Sequence, residues 1–170
     1  MVCHRRTSEI GAAKRFGPCS ALLIAEEKIM ESCTTYLAGK RFETVLGKHR
    51  IITDQPSSQG GEDAGPTPPE LLLASLGACA GHYAAEYLAA RSLPLRGLKI
   101  HVSAEKATTP ARLGSFRIEV AMPDSMAQAD DRHRQGLLRA VKACIIHNTL
   151  TNTPDIDLEV IAAPGLCRAA

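Results

Sequence analysis

The sequence predicts an α+β protein whose largely antiparallel sheet packs around one long central helix, in the order βββ-α-ββ-α-β. Three observations carry this. Runs in which apolar and polar residues alternate cluster on either side of the middle of the chain. Between them, Leu71 to Ala90 is apolar or small at almost every position, far longer than a strand. Short strand and helix patterns never alternate one for one, so the rhythm of a parallel sheet is missing.

The bulk numbers bound the rest. A chain of 170 residues, 45% hydrophobic and 22% charged, is one ordinary globular domain able to bury a core. A net charge of +2, with three Phe, three Tyr and no Trp, gives no reason to expect nucleic acid as a partner. No apolar run is long enough to cross a membrane. Six cysteines in a chain this long and helical, with no secretory signal, are expected as reduced thiols in a cytoplasm. Residues 1–30 carry Arg5, Arg6, Lys14 and Arg15 and read as a poorly packed N-terminal extension, with Met30 opening the fold. The folded domain is expected to span residues 31–165.

The first strands are Thr34–Leu37, Arg41–Leu46 and His49–Thr53, with Gly39-Lys40 and Gly47-Lys48 as tight hairpin turns. Gln55 to Pro66 is a loop of turn-forming residues, too poor in basic residues for a phosphate loop. Thr67-Pro68-Pro69-Glu70 then starts the central helix: Thr67 caps, Pro68 takes the first helical position, and Glu70 closes a capping box. Ser92-Leu93-Pro94 stops it. So apolar a helix is expected to be buried all round. Gly77 and Gly81 thin one face, for a subunit contact or for tight packing within the chain. Leu98 to Ala104 and Phe116 to Met122 alternate as two half-buried strands, joined by a loop around Pro110 and Gly114. A second helix runs from about Ser125 or Asp130 to Ala143, with Leu137, Val141, Cys144 and Ile145 on its apolar side. Asn148 to Pro154 breaks the pattern, and Ile156, Leu158 and Val160 alternate as a last strand.

At about 100° per residue, Ser75, Cys79, His82 and Glu86 form the only polar stripe on the central helix. Cys79 is either a small packing residue or a reactive thiol. A matching pair, Cys144 and His147, follows later, so two chemistries are open. One is zinc held by two Cys-x-x-His pairs, although a domain of this size does not need a metal to fold. The other is thiol redox chemistry, which requires a thiolate and therefore a nearby cation. Nine residues at 100° put Glu70 on the face opposite Cys79 unless the helix breaks near Ser75–Gly77 or a second subunit supplies the carboxylate.

The run GGEDAGPTPPELLLASLGAC, Gly60 to Cys79, resembles the signature of the OsmC/Ohr family of peroxidatic-cysteine proteins. LRAVKACIIHNTL, Leu138 to Leu150, resembles the segment holding that family's second cysteine. The resemblance spans roughly Cys33 to Ala162 and implies an intertwined homodimer with two sites at the subunit interface. It also implies reduction of organic hydroperoxides, and for some members hydrogen peroxide, by an external thiol or dithiol, with no metal or other cofactor. By the same resemblance Cys79 is the peroxidatic cysteine, Cys144 the resolving one, and Glu70 orients an activating arginine. Three positions depart from the pattern. Ile145 follows Cys144 where many relatives have proline, and Glu70 precedes Cys79 by nine residues, one fewer than in the best-known hydroperoxide reductases. The arginine's place falls near Ala38, with Arg41 and Arg50 the nearest candidates. The expected function is thiol-dependent hydroperoxide reduction in oxidative-stress defence. The alternative is a catalytically weak relative that binds a small apolar ligand at the dimer interface.

Overall fold

The computed structural model describes residues 30–126 and 131–162. The N-terminal extension expected over residues 1–30, apart from Met30, lies outside that range, as do residues 127–130 and the expected domain end at 165.

Three strands, β1 (Cys33–Ala38), β2 (Arg41–Leu46) and β3 (His49–Thr53), form an antiparallel meander. Its two-residue turns work because Gly39 and Gly47 adopt φ of 56° and 55°, the left-handed backbone that such hairpins require. Across β1 and β2, Tyr36 and Phe42 are register partners and meet edge to face at 5.6 Å.

Asp54 follows β3 and organises the loop before the central helix. It is 1% exposed, and its carboxylate accepts the backbone N–H groups of Gln55, Glu62 and Ala64 at 2.8, 3.0 and 3.1 Å. Gly61 and Gly65 pass so close to the carbonyls of Gln55 and Ile52 that neither has room for a Cβ. Burial pulls the Asp54 pKa upward, but the three N–H donors and the charge of Arg41 outweigh it and hold the carboxyl below its ordinary value. A depressed carboxyl stabilises the fold above the unfolded pKa, about 3.9, and that contribution is lost as pH falls through the folded value. Asp54→Asn is therefore expected to be less stable than wild type at neutral pH. In urea unfolding across a pH series the gap should close below about pH 4, and a gap independent of pH would contradict this role.

The central helix, α1 (Pro68–Ala89), starts and ends where the sequence places it. Thr67 caps it, and the Glu70 carboxylate accepts the Thr67 backbone N–H at 2.7 Å and its hydroxyl at 2.8 Å. Leu76, Ala80, Ala84 and Leu88, four apart, form its buried stripe. Gly77 and Gly81 face Val102 and Ile100 of the following hairpin, so they serve packing within the chain. The expectation of burial on all sides is not met: Ala74, Ser75, Ala78, His82, Glu86 and Ala89 are exposed. The following hairpin and the later helices pack against α1 along the buried stripe and leave the opposite side to solvent.

That hairpin, β4 (Lys99–Thr108) and β5 (Ala111–Ala121), is longer than the alternation indicates. It turns at Thr109-Pro110, and Gly114 lies inside β5 rather than in the loop, beside a register shift between Glu105 and Lys106. Leu98, Ile100, Ile118, Val120 and Met122 pack on the core formed by Ala80, Ala84, Leu88, Met126, Leu137 and Val141.

Two helices follow, where the sequence reading has one. The first, α2 (Asp131–Lys142), buries Gly136, Leu137 and Val141. Gly136 faces the ring of Tyr87 on α1, where a Cβ would collide. The second, α3 (Ile145–Thr151), occupies much of the stretch expected to break the pattern. Extended backbone at Cys144 (φ −57°, ψ 130°) ends one helix and starts the other. This turn rotates Ile145 out of the apolar row, so it is 58% exposed although Leu137, Val141 and Cys144 are buried.

The expected last strand is not formed within this chain. Ile156, Leu158 and Val160 are 82%, 86% and 91% exposed and belong to no ladder among the described residues. Alternation identifies a segment suited to a sheet, but a strand exists only where a neighbouring edge receives its N–H and C=O groups. Among the described residues the order is therefore βββ-α-ββ-α-α, with two antiparallel sheets. No described helix is long and apolar enough to cross a membrane.

Candidate active site

The fold joins two cysteines that stand 65 positions apart. Cys79, in the middle of α1, and Cys144, at the junction of α2 and α3, form a disulfide with a Cα–Cα distance of 5.9 Å. That spacing is ordinary for a bridge. The two sulfurs have different surroundings. Cys144 has no exposed surface, and its backbone is pinned from both sides. Its N–H donates to the Val141 carbonyl at 3.1 Å, and its carbonyl accepts the Asn148 N–H at 3.0 Å. Cys79 is only half-buried, at the border of α1's open side: exposed Ala78, Ser75 and His82 lie to one side of it and buried Leu76 and Ala80 to the other. One cysteine is thus fully buried and the other partly exposed.

A groove of about 750 Å³ runs between β5, α2 and α3. Its walls include Leu76, three residues before Cys79, and Val141 and His147, three residues either side of Cys144. Phe116, Ile118 and Leu137 add apolar surface, while Arg134 and Lys142 bring positive charge. Sequence reading finds these side chains as core or as surface. It misses the groove, because its far wall depends on the helix α3 that the pattern does not reveal.

Other residues singled out in the sequence lie away from the sulfurs or are engaged elsewhere. α1 is continuous from Pro68 to Ala89, so no break brings Glu70 round. Nine residues place it about 13 Å along the axis and half a turn from Cys79. Hydrogen bonds from the Thr67 backbone and hydroxyl, with help from Lys106, hold its carboxyl below the usual range. His82 directs Nε2 to the Glu86 carboxylate at 3.3 Å. Arg41 pairs with Glu62 at 3.3 Å and Arg50 with Glu43 at 2.6 Å, both on or beside the first sheet. The zinc arrangement is not assembled: the two sulfurs are bonded to each other. Among the described residues no three His, Cys, Asp or Glu side chains are gathered for a metal ion.

The fold and site together define an α+β protein with a two-cysteine centre, one sulfur on a long central helix and the other at a helix junction. Residues 60–159, more than half of the chain, match the family described as OsmC-like protein, and the chain belongs to that family. Its fold is similar to those of several solved structures. One is a candidate osmotic-stress-induced and detoxification-response protein from Psychrobacter arcticus 273-4, with TM-score 0.63 and 20% identity, covering 74% of this chain and 91% of that one. Another is an OsmC-like protein from Mycoplasma pneumoniae, with TM-score 0.59 and 19% identity, covering 75% and 90%. A hypothetical protein from Aquifex aeolicus VF5 follows, with TM-score 0.55 and 18% identity over 74% and 89%. No curated protein matches the sequence.

Proposed function

We propose that the protein is a thiol peroxidase that reduces organic hydroperoxides, with Cys79 as nucleophile and Cys144 as resolving thiol. The observation that carries this reading is the bridge itself: a partly exposed cysteine joined to a fully buried one across 65 positions. In the reduced protein the Cys79 thiolate attacks the outer oxygen of ROOH. The O–O bond breaks, the alkoxide takes a proton to leave as ROH, and Cys79 becomes a sulfenic acid. The Cys144 thiol then attacks that sulfur, water leaves, and the disulfide forms. An external dithiol restores both thiols, so the sum is ROOH plus dithiol to ROH, water and cyclic disulfide. A cytoplasm, where dithiols are kept reduced, suits this cycle.

The thiolate needs a cation close to it. The helix N-terminus cannot serve, because it is about 16 Å away and its field fades within the first turn. The charge must come from a side chain, and Glu70 takes part only if a second copy brings it to the site. A homodimer is part of the proposal. Exposed Tyr36, Leu37, Phe42 and Leu46 on the first sheet, and Ile156, Leu158 and Val160 in the tail, offer apolar surface for a second copy to cover.

The groove supports a second reading, in which the chain holds a small apolar ligand and turns peroxide over weakly. Its volume and apolar walls fall within the usual range for ligand pockets. One assay separates the two. With a dithiol and an organic hydroperoxide, the pure protein should consume peroxide catalytically, and Cys79→Ser should fall to the uncatalysed rate. A folded, reduced protein that leaves the peroxide untouched would sink the peroxidase reading.

A further inference from the structure

Resting on that reading, we infer that the recycling dithiol attacks the sulfur of Cys79 and not that of Cys144. Cys144 is then an internal leaving group that no external thiol touches. Thiol–disulfide exchange requires the incoming thiolate to approach one sulfur in line with the S–S bond. Cys79 is partly exposed, at the border between the buried stripe of α1 and exposed Ser75, Ala78 and His82, which leaves an incoming thiol a route to it. Cys144 has no exposed surface and sits between two helices that hold its N–H and its carbonyl. Reaching it would first require the α2–α3 junction to open.

Two effects oppose each other, and their sizes decide the outcome. Exchange slows when the departing thiol is the more basic one, by about tenfold for two units of thiol pKa. Access weighs more. Attack on Cys144 must wait for the packed α2–α3 junction to open, an event whose free energy can reach that of global unfolding. The balance favours Cys79.

The electrons then balance in two steps. The dithiol's thiolate attacks Cys79, the S–S bond breaks, and the bonding pair leaves with Cys144, which takes a proton from water. The dithiol's second thiolate attacks its own bridging sulfur. The mixed disulfide breaks, Cys79 departs as a thiolate, and the dithiol is released as a cyclic disulfide. One sulfur therefore meets both the peroxide and the reductant.

Glutathione is a suitable probe, since a monothiol cannot complete the second step within one molecule. The oxidised full-length protein is mixed with excess glutathione and quenched in acid within the first turnover. Freed thiols are blocked with N-ethylmaleimide, and the peptides are weighed. Glutathione is expected on the Cys79 peptide and maleimide on the Cys144 peptide, with at least about tenfold preference over the reverse. The reverse pattern, or near-equal labelling, overturns the inference. So does the lack of any adduct at either position under conditions where the urea-unfolded protein reacts at both. No peroxide turnover is needed for this readout. A protein that leaves hydroperoxide untouched yet carries glutathione on Cys79 would refute the proposed function and uphold the attack site.

Discussion

Reduction of the Cys79–Cys144 bridge is expected to lower the stability of the fold by about 4 kcal/mol. The bond closes a loop of 65 positions, and the chain-entropy cost of leaving so long a loop open in the unfolded state gives that figure. For a chain of this size the melting temperature should fall by about 8–16 °C. Other cysteines respond to reductant too, so the measurement is a difference: the shift caused by a dithiol in wild type minus the shift in Cys144→Ser. A difference of less than about 1 kcal/mol would mean that the unfolded chain gains little from the opened loop, or that reduction relieves native strain.

The second large effect separates the roles of the two sulfurs. Cys144→Ser should release about one alcohol per chain from an organic hydroperoxide and then stall, because the oxidised Cys79 has no partner with which to condense. The stalled protein should carry a sulfenic acid on Cys79 that a 1,3-dione traps, and further peroxide should drive it to the irreversible sulfinic acid. Cys79→Ser should give neither burst nor adduct. Equal bursts from both variants would remove the distinction between nucleophile and resolving thiol. A burst only from Cys79→Ser would exchange the two roles.

The parts of the fold that the sequence made legible are those fixed by neighbours in the chain. Thr67, Pro68 and Glu70 mark the start of α1 to the residue, and Gly39 and Gly47 mark both turns of the first sheet, because caps and tight turns are local. The polar stripe singled out Cys79 for the same reason. The apolar spacing puts Cys144 on a helix's apolar side, whereas it sits in the junction between two helices. The helix α3 went unseen because Thr149, Asn152 and Pro154 look like a break, while Thr149 and Thr151 in fact return their hydroxyls to the carbonyls of Ile145 and His147. Asp54 carries no such local signal. An acidic residue at the end of a strand gives no hint that three backbone N–H groups will converge on it. Residues whose surroundings come from distant parts of the chain were the hardest to read: the groove, the burial of α1 and the fate of the tail.

The tail has a consequence for solubility. Ile156, Leu158 and Val160 stand almost bare to water, but Asp155, Asp157 and Glu159 alternate with them. Stacked in register with copies of itself, such a strand would bring three carboxylates against three more, and like charges set directly opposite one another are destabilising. The acidic residues act as gatekeepers against fibrous self-stacking and leave the segment open to a differently charged edge. Replacing the three carboxylates with their amides would keep the same apolar face and remove the safeguard against aggregation.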